Sequence, residues 1–100
     1  MTILFVYGTL MRGGRYHDLL ANARFCGEAC TPPCFELVAL GEYPALVSGE
    51  KRVSGELFQV DDDTLAAIDE LEGHPELYER RSILLEGGVE AHAYLLPRGR

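Results

Sequence analysis

Residues 61–73 read DDDTLAAIDELEG and predict the one clear helix of this chain. The aspartates that open the segment offer side-chain oxygens and negative charge to the first turn of a helix. Leu65, Ile68 and Leu71 recur at helical spacing and therefore share one apolar face. Gly73 suits the left-handed conformation that ends many helices, and a proline two residues later prevents continuation.

Strands are predicted on both sides of this helix, because short runs rich in β-branched and aromatic residues alternate with turn residues. These runs are residues 3–7, 25–30, 34–40, 43–47, 53–60, 80–86 and 89–95. A short helix is expected at residues 16–23, Gly87-Gly88 predicts a two-residue hairpin turn, and Pro44 places its segment at an edge or in a loop. A helix inserted among strands indicates an α+β fold, with a small mixed, barrel-like β-sheet and one or two helices.

The composition is that of a single small globular domain, with 100 residues, of which 47% are hydrophobic and 25% are charged. The net charge of -7 repels phosphate groups, so neither nucleic acid nor an anionic membrane surface is an expected partner. A domain of this size buries a modest fraction of its surface, and a homodimer is one way for it to bury more.

The three cysteines, Cys26, Cys30 and Cys34, indicate a reducing compartment, and we expect a cytoplasmic protein. Their number is odd, and no signal peptide is recognised. Three thiols interrupted by a pair of prolines lack the fourth ligand of a structural zinc site. We therefore expect no metal here, and we expect the cysteines to be small buried hydrophobic side chains.

Glu72 is the carboxylate with the most informative position. Seven steps from Leu65 make about 700°, about 20° short of two full turns, so both side chains project from one helix face. A carboxylate on an apolar face is unfavourable unless it is paired, neutral or lining a cavity. Burial and the helix dipole would both raise its pKa, and a raised pKa suits a general base near neutral pH.

Two alternatives to an inward-facing Glu72 stay open at this point. Glu72 could lie beyond the last regular turn and face water, because helix ends fray. Asp69 lies about 40° from Leu65 on the helical wheel, so periodicity alone does not choose between the two acids.

A second candidate feature is Tyr7-Gly8-Thr9-Leu10, at the end of the first predicted strand. A buried strand that ends in Gly-Thr directs backbone N–H groups to its carboxyl end, where they can hold a carboxylate or an oxyanion. Gly8 also permits a ligand to approach the backbone closely. The same sequence is compatible with an ordinary turn.

The remaining polar residues form no recognisable metal or nucleotide motif. His17, His74 and His92 are scattered along the sequence without a partner at ligand spacing. Gly13-Gly14 matches neither a Walker loop nor a dinucleotide-binding fingerprint.

Two segments together resemble the γ-glutamyl cyclotransferase family. They read FVYGTL at residues 5–10 and LEGHPELYER at residues 71–80. The sequence is most similar to the short AIG2-like and γ-glutamylamine cyclotransferase members, and residues 43–47 and 91–94 match further segments in the expected order. The resemblance covers most of the chain.

The resemblance implies one domain over residues 1–100, with a barrel-like mixed sheet and helices. The implied reaction is an intramolecular aminolysis, in which the α-amino group of a γ-glutamyl unit attacks its own γ-carbonyl. The products are 5-oxoproline and a free amine, and the reaction uses no metal and no cofactor.

The resemblance also implies roles for individual residues. The catalytic glutamate of the family falls on Glu72 and not on Asp69. The residues expected to bind the glutamyl group are Tyr7, Gly8, Thr9, Leu10 and, as a supporting tyrosine of the last strand, Tyr94.

We therefore expect an enzyme that acts on small-molecule γ-glutamylamines, γ-glutamyl-ε-lysine among them, or on a γ-glutamyl-protected biosynthetic intermediate. One alternative is a non-catalytic binding module, which would have no need of a buried carboxylate. Another is an amide hydrolase in which Glu72 activates water. The chain ends soon after its last predicted strand, where many relatives continue, so the resemblance does not define the leaving amine.

Overall fold

The computed structural model describes residues 1–41 and 43–97. Within these ranges the chain forms seven strands, one α-helix and one short 3-10 helix. The strands are β1 (Thr2–Val6), β2 (Arg24–Cys30), β3 (Phe35–Leu40), β4 (Tyr43–Ser48), β5 (Ser54–Val60), β6 (Glu79–Leu84) and β7 (Glu90–Leu95). The α-helix, α1, spans Asp62–Glu72, and the 3-10 helix spans His17–Leu20.

The strands form one mixed sheet that curves into a half-barrel, as the sequence predicts. The strand order is β2-β5-β1-β7-β4-β3, with β6 paired to β7 outside this path. Strand β1 is antiparallel to β5 and parallel to β7, and β7 is also parallel to β4. The carboxyl end of β1 therefore lies in the middle of the sheet, and the loop that follows it starts from a fixed position.

Strand β1 is covered on both faces, as its continuous apolar run predicts. Leu4 and Val6 pack on one side with Leu65 and Ile68 of α1. Phe5 points to the opposite side, into a second apolar cluster.

Helix α1 has the ends that its sequence predicts. The side chain of Asp61 accepts a hydrogen bond of 2.7 Å from the backbone N–H of Thr64. Gly73 adopts a left-handed conformation with φ 67°, and its N–H donates to a carbonyl of the last turn. This cap fixes the position of Glu72, the residue directly before it.

Three local predictions differ from the structure. Residues 16–23 form a 3-10 helix of four residues and not an α-helix, because no side chain caps Tyr16 and the chain enters β2 almost at once. Pro44 lies inside the sheet, but it pairs only with Ala39 of β3, so its missing N–H is tolerated. The last hairpin is longer than two residues, since the N–H of Leu85 donates to the carbonyl of Val89.

The prediction of buried cysteines is wrong. Cys26 and Cys34 are exposed and Cys30 is half-buried, because β2 is the outermost strand of the sheet and Cys34 precedes the equally outer β3. Within residues 1–41 and 43–97, no three His, Cys, Asp or Glu side chains are placed to hold a metal ion together. No helix in these ranges is long and apolar enough to cross a membrane.

Gly55 marks a close contact between β5 and β1. A Cβ atom here would lie 2.3 Å from the carbonyl oxygen of Val6 and 2.6 Å from the ring of Phe5. We expect Gly55→Ala to lower the free energy of unfolding by about 2–3 kcal/mol, because the backbone and the ring must both shift. Chemical denaturation measures this, with the exposed neighbour Ser54→Ala as a control expected to stay within about 0.5 kcal/mol. Equal stability of the two variants would contradict the packing described here.

Candidate active site

A cavity of about 340 Å³ lies between the carboxyl end of β1, the carboxyl end of α1 and the β3–β4 hairpin. All six residues that the sequence predicts for the site line it. The complete lining consists of Phe5, Val6, Tyr7, Gly8, Thr9, Leu10, Tyr16, Leu40, Tyr43, Pro44, Leu71, Glu72, Leu77, Tyr78 and Tyr94.

The loop Tyr7–Leu10, the predicted substrate loop, is folded by hydrogen bonds to the carbonyl groups of its last three residues. The carbonyl of Gly8 accepts from the N–H of Met11 at 3.0 Å, and that of Thr9 accepts from Tyr16 at 2.9 Å. The carbonyl of Leu10 accepts from the ring of His17 at 2.9 Å. In contrast, the N–H groups of Gly8, Thr9 and Leu10 have no acceptor among the residues that the structure describes. Such a group of free backbone donors is suited to hold an anion.

A buried carboxylate holds the next part of this loop. Glu56 of β5 is only 5% exposed, and it accepts from the backbone N–H and the Nε of Arg12 at 2.8 and 3.0 Å. The guanidinium of Arg12 also lies 3.9 Å above the ring centre of Phe25. Burial alone would raise the pKa of Glu56, but the hydrogen bonds and the charge of Arg12 outweigh it and lower the pKa. The sequence analysis missed this pair; its only signal was one acidic residue in the apolar run of β5.

Gly8 has a structural role that the sequence does not reveal. A Cβ atom at this position would lie 2.7 Å from Cγ of Pro44. The missing side chain therefore allows the β3–β4 hairpin to close against the loop. Its use for close approach of a ligand stays a prediction.

Glu72 faces the cavity and not bulk water. It is the last residue of α1 and is half-buried, and no donor among the described residues bonds to its carboxylate. Burial raises its pKa from 4.5 to about 7. At neutral pH this group can therefore accept a proton and return it.

Asp69, one turn earlier, has the opposite environment. Its two carboxylate oxygens accept from Arg80 at 2.8 and 3.2 Å, and one also accepts from the hydroxyl of Tyr94 at 2.6 Å. Burial opposes ionisation of Asp69, but these hydrogen bonds and the charge of Arg80 outweigh it and lower the pKa. Asp69 is thus a permanent anion within an ion pair, whereas Glu72 titrates.

The hydroxyl protons of Tyr7 and Tyr94 are both directed to acceptors other than Glu72. Tyr7 donates to the backbone carbonyl of Tyr94 at 2.5 Å, and Tyr94 donates to Asp69. Burial is the main reason why both phenols have raised pKa values. The oxygen of Tyr7 also accepts from the backbone N–H of Leu46 at 3.4 Å, so the oxygen of Tyr94 has more capacity to accept a hydrogen bond from a ligand in the cavity.

Arg80 connects this end of the site to two of the three histidines. Its guanidinium donates to Nδ1 of His92 at 2.8 Å, and its backbone N–H donates to Nδ1 of His74 at 2.9 Å. Burial and the charge of Arg80 lower the pKa of His92. These histidines support the wall of the cavity but do not line it.

Tyr78 also lines the cavity, although the sequence predicts no role for it. It is buried, and burial together with the nearby charge of Glu72 raises its pKa. Its N–H donates to the carbonyl of Glu72 at 3.3 Å, so it also holds the segment that follows α1.

Known proteins are similar to this chain in both sequence and fold. A family model described as gamma-glutamyl cyclotransferase, AIG2-like, matches residues 4–100. The chain belongs to this family. A Vibrio cholerae protein with the provisional name gamma-glutamylcyclotransferase is 43% identical over 81 residues, a match that covers 81% of this chain and 70% of that protein.

Two mammalian relatives extend the comparison. The gamma-glutamylaminecyclotransferase of Rattus norvegicus is 37% identical over 93 residues, which cover 83% of this chain and 62% of the rat protein. The crystal structure of an AIG2-like protein from Mus musculus superposes with a TM-score of 0.86 at 32% identity, covering 95% of this chain and 76% of that one. The half-barrel with its single α-helix is thus the fold of a solved AIG2-like protein.

The unpaired carboxylate of Glu72 should make the stability of the protein depend on pH. The pKa of Glu72 is higher in the folded chain, about 7, than its ordinary value of 4.5. The folded state is therefore favoured while this group is protonated, and it loses stability as pH rises from about 4.5 to about 7.

We expect Glu72→Gln to raise the free energy of unfolding by about 1–2 kcal/mol at pH 8, after allowance for screening by water, and to change it little at pH 4. Denaturation at both pH values measures the difference. Glu70→Gln, an exposed neighbour on α1, is the control and should show no such dependence. The same effect of Glu72→Gln at both pH values would contradict the burial of a titrating carboxylate.

Proposed function

We propose that this protein is a γ-glutamylamine cyclotransferase, which converts a γ-glutamylamine to 5-oxoproline and a free amine. The family membership supports a γ-glutamyl cyclotransferase. The observation that carries the proposal is that the half-buried carboxylate of Glu72, which has no partner among the described residues, lies in the same cavity as a loop whose backbone donors have no acceptor there either.

Binding of the glutamyl group is assigned to the substrate loop. A γ-glutamylamine carries an α-carboxylate, and the N–H groups of Gly8, Thr9 and Leu10 are donors without another acceptor in the described part of the chain. Backbone donors hold an anion without a charged side chain. The same groups are suited to stabilise the negative oxygen that develops on the γ-carbonyl.

Glu72 is assigned the proton transfers. The α-ammonium group loses a proton to the carboxylate of Glu72, and the resulting amine attacks the γ-carbonyl carbon. A new C–N bond closes the five-membered ring, and the C–N bond to the leaving amine breaks as its nitrogen receives a proton from Glu72. Two protons leave the attacking nitrogen and two reach the leaving amine, so that Glu72 ends in its initial state.

The tyrosines are assigned to orientation of the substrate. Both phenols give their protons to protein acceptors, and the oxygen of Tyr7 also accepts from the backbone N–H of Leu46 at 3.4 Å. The lone pairs that remain, chiefly on Tyr94, can accept from the substrate ammonium. An ammonium held beside Glu72 would be placed to transfer its proton there. Because the reaction is intramolecular, holding the glutamyl chain folded supplies much of the rate enhancement.

We also propose a cytoplasmic location and a metal-independent reaction. The three cysteines are free thiols, which are typical of reducing compartments. The proposed steps use only side chains and backbone groups of the chain. Assembly into a homodimer stays a prediction, as does the absence of nucleic-acid and membrane partners.

Release of 5-oxoproline from a panel of γ-glutamylamines tests the proposal. We expect Glu72→Gln to lower kcat on the order of 10²-fold or more with little change in KM, because the substitution keeps the shape of the side chain and removes the base. Glu70→Gln, on the same helix but exposed, should keep full activity.

Other products would identify the alternatives. Free glutamate in place of 5-oxoproline would indicate an amide hydrolase that activates water with Glu72. Binding of γ-glutamylamines without any product would indicate a binding module. Either result would contradict the proposed function.

The pH dependence of kcat/KM provides a second test. We expect the acidic limb to have an apparent pKa of about 7, because Glu72 must be ionised in the free enzyme to accept a proton. Below this pH the rate should fall tenfold per unit. Glu76→Gln, an exposed residue of the following loop, should leave the limb unchanged, and a limb near pH 4.5 would contradict the role of Glu72.

A further inference from the structure

An ion pair beside the substrate loop takes no part in the proposed reaction. Glu56 of β5 accepts hydrogen bonds from the backbone N–H and from Nε of Arg12, at 2.8 and 3.0 Å. The side chain of Glu56 is only 6% exposed, whereas that of Arg12 is 52% exposed. Neither residue lines the cavity. Because burial of a carboxylate is unfavourable, its presence here calls for an explanation.

The position of Glu56 on β5 directs its side chain to the same side of the sheet as the cavity. Glu56 is directly opposite Val6 of β1. Opposite residues of an antiparallel pair project from the same face, and Val6 lines the cavity. Gly8 follows Val6 by two residues, so the Cα atoms of Val6 and Gly8 are at most about 7 Å apart. Glu56 therefore brings a negative charge into the neighbourhood of the loop that we propose to bind the substrate carboxylate.

Arg12 covers this charge and also fixes the chain that follows the loop. Its guanidinium lies 3.9 Å above the ring centre of Phe25 on the neighbouring strand β2, which restricts its movement. Its backbone N–H bonds to Glu56 only two residues after Leu10, the end of the substrate loop. Burial would raise the pKa of Glu56, but the hydrogen bonds and the charge of Arg12 outweigh it and lower the pKa. Glu56 thus stays ionised, and the pair as a whole is neutral.

We infer, on the basis of the proposed function, that Arg12 is a positioning residue for the substrate. By pairing with Glu56, it neutralises a buried carboxylate beside the substrate loop. The N–H groups of Gly8, Thr9 and Leu10 can then bind the α-carboxylate of the substrate without repulsion from Glu56. In this role Arg12 does not contact the substrate and transfers no proton.

A purely structural role of the pair has a different consequence. If Arg12 only held the loop in shape, its loss would weaken all ligands of the cavity alike. Neutralisation of Glu56, in contrast, matters for a ligand whose own carboxylate occupies the loop. The quantity that separates the two roles is therefore the ratio of two dissociation constants, for a ligand with the α-carboxylate and for one without it.

Binding of two small amides measures this ratio. γ-Glutamylmethylamide carries the α-carboxylate, and 4-amino-N-methylbutanamide is the same molecule without it. Calorimetric titration at pH 8 uses Glu72→Gln as the starting protein, so that turnover does not interfere. We expect γ-glutamylmethylamide to bind more tightly than its analogue, and we expect this advantage to fall about tenfold when Arg12→Gln is added. The added substitution keeps the backbone N–H that bonds to Glu56.

Two further variants separate the effect of charge from that of packing. Arg12→Gln combined with Glu56→Gln has neither charge, and the advantage should return to within about threefold of its original value. Arg52→Gln breaks a comparable ion pair with Glu86, at 2.7 Å, which lies outside the cavity, and it should leave both dissociation constants unchanged. Chemical denaturation establishes that each variant is folded. An unchanged ratio in Arg12→Gln, or an equal loss in the double variant, would overturn the inference.

This inference and the proposed function can fail separately. If γ-glutamylamines yield 5-oxoproline but Arg12→Gln leaves the ratio unchanged, the role of Arg12 is wrong and the cyclotransferase stands. If no 5-oxoproline forms but the ratio falls as expected, the cyclotransferase is wrong and Arg12 still supports binding of a carboxylate. If γ-glutamylmethylamide binds no more tightly than its analogue, the role of Arg12 is wrong whatever the products are.

Discussion

Near the end of α1, the carboxylate of Asp69 accepts hydrogen bonds from Arg80 and Tyr94. The carboxylate of Glu72 accepts none from the residues that the structure describes. Asp69 lies one turn before Glu72 on the same helix. The two acids are of similar intrinsic strength, but hydrogen bonds and the charge of Arg80 lower the pKa of Asp69, whereas burial raises that of Glu72 to about 7. Burial is the cause of the raised pKa of Glu72, and no hydrogen bond from a described residue lowers it again.

The loop opposite Glu72 also contains polar groups without a hydrogen-bond partner in the described part of the chain. The carbonyl groups of Gly8, Thr9 and Leu10 accept from residues that follow the loop, and the Arg12–Glu56 pair fixes that following segment to β5. The N–H groups of Gly8 to Leu10, in contrast, have no acceptor in the described part of the chain. Unsatisfied donors are unfavourable in a folded protein unless a ligand or water serves them. The rigid sheet tolerates them because β1 is fixed between β5 and β7. The loop is therefore suited to hold an anion through backbone N–H groups that the fold leaves without an acceptor.

Much of the fold was predictable from the sequence because its signals are local. The capped helix, the strand order along the chain and the covered first strand follow from neighbouring residues. The orientation of Glu72 did not follow, because the helical wheel places Asp69 on the same face and only the tertiary partners Arg80 and Tyr94 separate them. The Arg12–Glu56 pair joins residues far apart in sequence, and the exposure of Cys26 depends on which strand lies at the edge of the sheet. Neither property is visible in a local pattern.

The buried residues that line the cavity contribute to the packing of the protein, whereas the exposed ones contribute little. The hydroxyl of Tyr7, which follows β1, bonds to β7, and the hydroxyl of Tyr94 connects β7 to α1, so two residues that line the cavity also hold the elements together. A change at these positions would alter the chemistry and the packing at once. Leu40, Leu71 and Leu77 also line the cavity, but they are exposed and contribute little to the packing. Substitutions at these three positions can therefore change the shape of the cavity without disturbing the contacts that hold β1, β7 and α1 together.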